Sequence, residues 1–194
     1  MAAPALNFRV GKQEYFEMLE KSVFKIEYWD GIAVAMAGAT QDHVSIEGNI
    51  FGELFQKLRA SGCVPRVSNQ AVKLTGDRGY VFPDVTVVCG EPEFDVERGI
   101  GCLVNPTVVV EVLSPSTAST DETDKLMAYT AMRTIREYLV VSSDRRAVKH
   151  YFRRTADEVW GARVYAHLMD EVTLESCGCS LTLAEIYAGL KLSA

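Results

Sequence analysis

Residues Thr107 to Leu113 read Thr-Val-Val-Val-Glu-Val-Leu, and no other stretch limits the fold as strongly. β-Branched residues at nearly every position leave the run without a polar face, which predicts a central strand covered on both sides. One carboxylate, Glu111, interrupts it. A second acid, Asp84, interrupts another apolar run, Tyr80 to Cys89, expected as a strand of its own. A buried carboxylate is costly unless something pairs with it, and two side by side repel each other. A divalent cation resolves both problems, and carboxylate oxygens completed by water and phosphate are the ligand pattern of Mg²⁺. Alternation puts Asp84 on a face with Phe82 and Thr86, and Glu111 on a face with Val109 and Leu113. If the two strands pair, both acids converge on one ion. If they do not, each acid makes a separate salt bridge or caps a loop.

The surrounding pattern supplies helices and more strands. Lys12 to Glu20 reads as a short helix and Thr40 to Ala60 as a long one, capped by Thr40 or Asp42 and ended by Ser61-Gly62. Phe24 to Tyr28 and Ile32 to Ala37 are strands joined through Trp29-Asp30-Gly31-Ile32, because Asp-Gly suits a tight hairpin turn. Val64 to Leu74 reads as one strand and Glu91 to Gly101 as a charged loop. A helix capped by Ser119 or Thr120 runs to about Thr134. Strands at Glu137 to Val141, Val148 to Arg153 and Val159 to Ala166 follow, and Ser180 caps a last helix, Leu183 to Leu190. The expected fold class is α+β (α/β-type), a mixed sheet flanked by helices.

Three further groups qualify as site candidates. Asp121, Lys125 and Tyr129 are spaced i, i+4, i+8 and share a helical face. Lys125 could reach a phosphate near the acids, or could simply pair with Asp121 at the surface. Glu27 lies in the first hairpin, where a lone acid is usually solvated. His43 opens the long helix, where a lone histidine usually caps or packs. No Walker loop, Gly-x-Gly-x-x-Gly or Gly-x-Ser-x-Gly motif is present.

With 194 residues and a net charge of −6, the chain fits one domain (1–194) and is too acidic for a protein that coats nucleic acid. A locally basic stretch, Arg133, Arg136, Arg145, Arg146, Lys149, Arg153 and Arg154, is either a solvated sheet edge or a phosphate contact. The cysteines Cys63, Cys89, Cys102, Cys177 and Cys179 are odd in number and irregular in spacing, which predicts five reduced thiols. There is no secretory pattern and no ~20-residue apolar run, so the expected location is the cytoplasm, with no membrane.

Several stretches together resemble the Uma-two family of putative restriction endonucleases, a branch of the PD-(D/E)XK nuclease superfamily. They are Ile26-Glu27-Tyr28-Trp29-Asp30-Gly31, the helix opened by His43, Phe82-Pro83-Asp84-Val85, Val110-Glu111-Val112-Leu113-Ser114-Pro115-Ser116-Thr117, the Asp121, Lys125, Tyr129 helix, and Glu137-Tyr138-Leu139-Val140-Val141. They span about 12–155, with 156–194 as C-terminal strands and a short helix. The resemblance implies a restriction-endonuclease-like fold. It implies that Asp84, Glu111 and the Val112 backbone carbonyl hold a divalent metal, commonly Mg²⁺ with Mn²⁺ as a substitute, and that DNA is the substrate. The superfamily pattern has a lysine two residues after the acid. This chain has Leu113 there, so the resemblance assigns the ammonium to Lys125 and an accessory acid to Glu27. A homodimer is expected, since a two-strand cut uses two sites. The competing functions are a catalytically silent nuclease-fold module that binds nucleic acid or a protein partner, and a hydrolase of smaller phosphate esters.

Overall fold

The computed structural model describes residues 7–36, 38–113 and 121–192. Its centre is a six-stranded sheet in the order β13-β12-β11-β10-β7-β4. The strands are β4 (Cys63–Val67), β7 (Val85–Cys89), β10 (Val108–Leu113), β11 (Glu137–Ser142), β12 (Val148–Phe152) and β13 (Gly161–Tyr165). Every residue of β10 is buried, as its unbroken β-branched run requires. β10 and β11 are parallel, with Val108 opposite Glu137, and α3 (Asp121–Ala131) makes the crossover between them. The remaining pairings of this sheet are antiparallel, so the class is α+β.

Alternation along β10 sends its side chains to two different cores. Val108, Val110 and Val112 pack against Ile46, Ile50 and Leu54 of α2 (Gln41–Lys57). Val109 and Leu113 pack against Ala128 and Tyr129 of α3. α2 starts at Thr40, whose Oγ1 accepts the His43 N–H at 3.3 Å. That cap fixes His43 in the first turn.

A seven-stranded sheet, β1-β3-β2-β6-β5-β9-β8, lies beside the first. It comprises β1 (Asn7–Arg9), β2 (Ile26–Trp29), β3 (Ile32–Ala35), β5 (Val72–Lys73), β6 (Gly79–Val81), β8 (Phe94–Glu97) and β9 (Ile100–Leu103). α1 (Lys12–Lys21) covers it with Tyr15 and Phe16, which pack on Tyr28 and Tyr80. The Asp30-Gly31 hairpin takes the expected left-handed turn, with φ of 44° and 90°. Gly79 is required by close approach, since a Cβ there would sit 1.8 Å from the Tyr28 carbonyl oxygen. β14 (Glu171–Leu174), β15 (Cys179–Thr182) and α4 (Leu183–Ile186) complete the chain.

Several expectations are corrected. Val64 to Leu74 is two strands, β4 and β5, in different sheets. Tyr80 to Cys89 likewise divides into β6 and β7 around Phe82-Pro83-Asp84, because Pro83 has no N–H for a ladder and restricts Phe82. Asp84 therefore sits just before a strand and not within one. Glu91 to Gly101 is not a loop; it contains the β8 strand and the Arg98-Gly99 turn into β9, both turn residues at positive φ. The last helix is one turn long, and Thr182 caps it through a reciprocal box with Glu185. Cys63 and Cys89 are opposite one another in the β4–β7 register and form a disulfide; the other three cysteines are free. The expected cap at Ser119 or Thr120 lies outside the described residues. Among those described, no helix is long and apolar enough to cross a membrane.

Candidate active site

Four elements bring polar side chains together at one end of β10. The β7–β10 register pairs Val85 with Val110 and Thr86 with Val109, so the next step along it sets Asp84 beside Glu111. Asp84 Oδ2 accepts the Val112 N–H at 2.7 Å, which closes the ladder where Pro83 ends it. A strand residue's N–H and C=O point to the same side. The Val112 carbonyl therefore faces Asp84 as well. Leu113, one residue on, points its carbonyl the other way and accepts from Ser143 N–H.

Glu111, only 3% exposed, receives two hydrogen bonds on Oε1: Lys125 Nζ at 3.0 Å and Tyr129 Oη at 2.6 Å. The i, i+4 spacing puts both donors on the buried face of α3. Glu27 is not the solvated edge acid that its local sequence suggests. β2 lies between β3 and β6, and Glu27 is buried with Oε1 accepting from Phe82 N–H at 3.1 Å and Oε2 from Trp29 Nε1 at 3.0 Å. Lys125 Nζ is 3.7 Å from Glu27 Oε1, so one ammonium bridges acids from both sheets.

His43 does more than pack: its Nε2 lies 3.0 Å from Asp84 Oδ1. Glu47, one helical turn further along α2, joins it, and the possible ligand atoms of His43, Glu47 and Asp84 lie within 4.8 Å of one another. Sequence reasoning missed Glu47. Its signal was its i, i+4 relation to His43, which is informative only once His43 is known to face Asp84. Asp121 opens α3, but its side chain lies outside the described residues.

The electrostatics follow from burial. Burial pushes the Glu111 carboxyl up to about 7; the Lys125 charge opposes this and the charges of Asp84 and Glu27 add to it. Burial alone would lower Lys125, but the Glu111 and Glu27 carboxylates outweigh it and hold the ammonium charged. Burial opposes protonation of His43, and the Asp84 hydrogen bond and charge overcome it, so its pKa is raised. Tyr129 is held far above its usual value, first by burial and then by the Glu111 charge, and so acts as a donor. Three buried carboxylates thus surround one ammonium. Carboxylate and carbonyl oxygens with that excess of negative charge fit a hard divalent cation.

The basic stretch does not form one surface. Arg153 is buried and bonds the carbonyls of Met132, Ile135 and Ala156. Arg133 and Arg154 pair with Asp157 and Glu175. Arg145 and Arg146 occupy the β11–β12 turn, at the same sheet end as Glu111.

Residues 12–184 match the model of the Uma2 family, described as putative restriction endonuclease. The uncharacterized protein slr1290 of Synechocystis sp. is 29% identical over 189 residues, 97% of each chain. A second from the same organism, sll1609, is 28% identical over 147 residues, 76% of this chain and 82% of that one. Among solved structures, a putative nuclease belonging to DUF820 from Anabaena variabilis superposes with a TM-score of 0.69 at 14% identity, covering 90% of this chain and 97% of that one. At that identity the likeness establishes the fold.

Proposed function

The chain belongs to the Uma2 family of putative restriction endonucleases, and from that premise we propose that it is a divalent-metal-dependent endonuclease hydrolysing DNA phosphodiester bonds. One observation carries the proposal: Lys125 Nζ lies 3.0 Å from Glu111 although it comes from the following helix. That contact supports Lys125 as the source of the ammonium in place of a lysine at position 113.

Asp84, the Val112 carbonyl and Glu111 would hold the cation, Mg²⁺ by ligand type with Mn²⁺ as substitute. Both described hydrogen bonds to Glu111 fall on Oε1, which supports Oε2 as the ligating oxygen. When bound, the metal supplies Lewis-acid stabilisation of the phosphoryl group and lowers the pKa of a ligated water. The protein's own groups do the rest. His43 and the Val112 N–H hold the two oxygens of Asp84, so the carboxylate does not turn. Tyr129 fixes Glu111 in the same way. Lys125 presents a permanent positive charge where negative charge develops on the phosphoryl oxygens, and Glu27 keeps that ammonium aimed into the site. Arg145 and Arg146 would lie along the flanking DNA backbone, and a homodimer would bring two such sites to the two strands.

The test is calorimetric titration of Mg²⁺ and Mn²⁺ into wild-type and Asp84→Ala protein. Saturable binding to wild type that is at least tenfold weaker in the variant is expected. Equal binding by both would remove Asp84 from the metal site and the proposal with it.

A further inference from the structure

The opposite face of the six-stranded sheet carries a second buried polar pair. Alternation along β11 turns Tyr138 and Val140 toward α3, and Leu139 and Val141 toward α2. Glu137 shares the α2 face, and so does His150, which is opposite Leu139 in β12. Glu137 and His150 are 2% and 4% exposed, and Glu137 Oε2 lies 3.0 Å from His150 Nε2. The other carboxylate oxygen, Oε1, accepts the Ser176 N–H at 2.7 Å. Glu137 is thus fully engaged. His150 is not: its Nδ1 is buried and has no hydrogen-bond partner among the described residues. Leaving a buried imidazole nitrogen unpaired is costly.

The His150 ring lines a cavity of about 70 Å³, shared with Arg154, Arg163, Tyr165, Thr173 and Glu175. A single water needs roughly 10–15 Å³ of such space, so the cavity has room for an ion of several heavy atoms. Arg163 is directly opposite His150 in the β12–β13 register. Its guanidinium lies over the Phe152 ring and has no ion pair among the described residues. The acids of the lining are already occupied, Glu137 by His150 and Ser176, and Glu175 by Arg154 at 3.1 Å. Among the described residues, the lining thus includes a histidine with one unpartnered ring nitrogen and an arginine without an ion pair.

We propose that this cavity is a second ligand site, separate from the candidate active site, for a small free oxyanion of the size and charge of inorganic phosphate. His150 keeps Nε2 on Glu137 and shares one hydrogen bond with the anion through Nδ1, its unpartnered ring nitrogen. Arg163 supplies a charged donor from the neighbouring strand, in the two-donor geometry that suits phosphate oxygens. The free nitrogen, the cavity and the unpaired arginine are otherwise unconnected features, and an oxyanion accounts for all three.

The test is imidazole NMR of the full-length, metal-free protein titrated with inorganic phosphate at constant ionic strength. The exposed His167 serves as internal control. A saturating shift of the His150 ring signals, unmatched at His167 and not produced by sodium chloride, is expected. Arg163→Gln, at an exposed position, should weaken it at least tenfold, and His150→Gln should abolish phosphate binding measured by calorimetry. No saturating shift, a drift shared with His167, or equal affinity in Arg163→Gln overturns the proposal. Should His150→Gln fail to fold, the Arg163→Gln result decides alone.

Discussion

Replacing Lys125 by Met removes the only ammonium among the described residues of a pocket that keeps Glu27, Asp84 and Glu111. Lys125 and Glu111 are both buried, and removing one partner of a buried ion pair costs about 3–5 kcal/mol. The low end applies at pH 7. Glu111 already titrates at about 7, and without the Lys125 charge its carboxyl rises further and becomes neutral, which limits the loss. Glu27 keeps its bonds from Phe82 and Trp29. A loss of about 3 kcal/mol lowers the Tm of a chain this long by roughly 6–12 °C. The double variant Lys125→Met/Glu111→Gln removes both members of the closer pair and should lose less stability than the two single variants summed, with the remaining loss set by Glu27, which then lacks the ammonium 3.7 Å away. Urea unfolding of all four members of the cycle, in EDTA at pH 7, measures this. Plasmid cleavage by Lys125→Met should fall about 10²–10³-fold, as for the loss of one transition-state donor. If Lys125→Met is as stable as wild type, or the double variant is as unstable as the sum of the singles, the ammonium is not what holds these acids together.

Two other outcomes follow from the same structure. Glu111 is raised from 4.5 to about 7, so the folded state holds the proton that the unfolded state has released. Its contribution is present below pH 4.5 and is lost as pH rises through 7; at 1.36 kcal/mol per unit this is about 3 kcal/mol. Metal-free Glu111→Gln should therefore show a flatter stability profile between pH 4.5 and 7, and a profile as steep as wild type's would assign the effect elsewhere. The Cys63–Cys89 disulfide closes a loop with a sequence separation of 26, for which chain entropy gives about 3.5 kcal/mol. Reduction, or Cys63→Ser, should lower the urea midpoint accordingly, and an unchanged midpoint would contradict the cross-link.

β10 is legible in the sequence because a β-branched run without a polar face predicts a strand covered on both sides, and α2 because Thr40 announces its start. Less legible was which strands neighbour which. Val64 to Leu74 and Tyr80 to Cys89 read as continuous strands because apolar pattern is silent on whether consecutive residues stay in one sheet. Pro83 was the clue in the second case. Glu27 read as solvated because the strand that buries it, β6, lies some fifty residues later. The Asp84–Glu111 proximity followed from alternation plus an assumed pairing, and the β7–β10 register supplies that pairing. For Lys125, spacing gave the helical face and nothing more; its reach depends on how α3 packs over β10. Cys63 and Cys89 gave no spacing signal, since their contact is made by β4–β7 pairing.

The most direct test of the central claim is nicking of supercoiled plasmid by purified wild-type and Asp84→Ala protein, in Mg²⁺ and in EDTA. Cleavage by wild type that requires Mg²⁺ and vanishes in the variant is the predicted result. Cleavage by Asp84→Ala at the wild-type rate, or by wild type in EDTA, would contradict it.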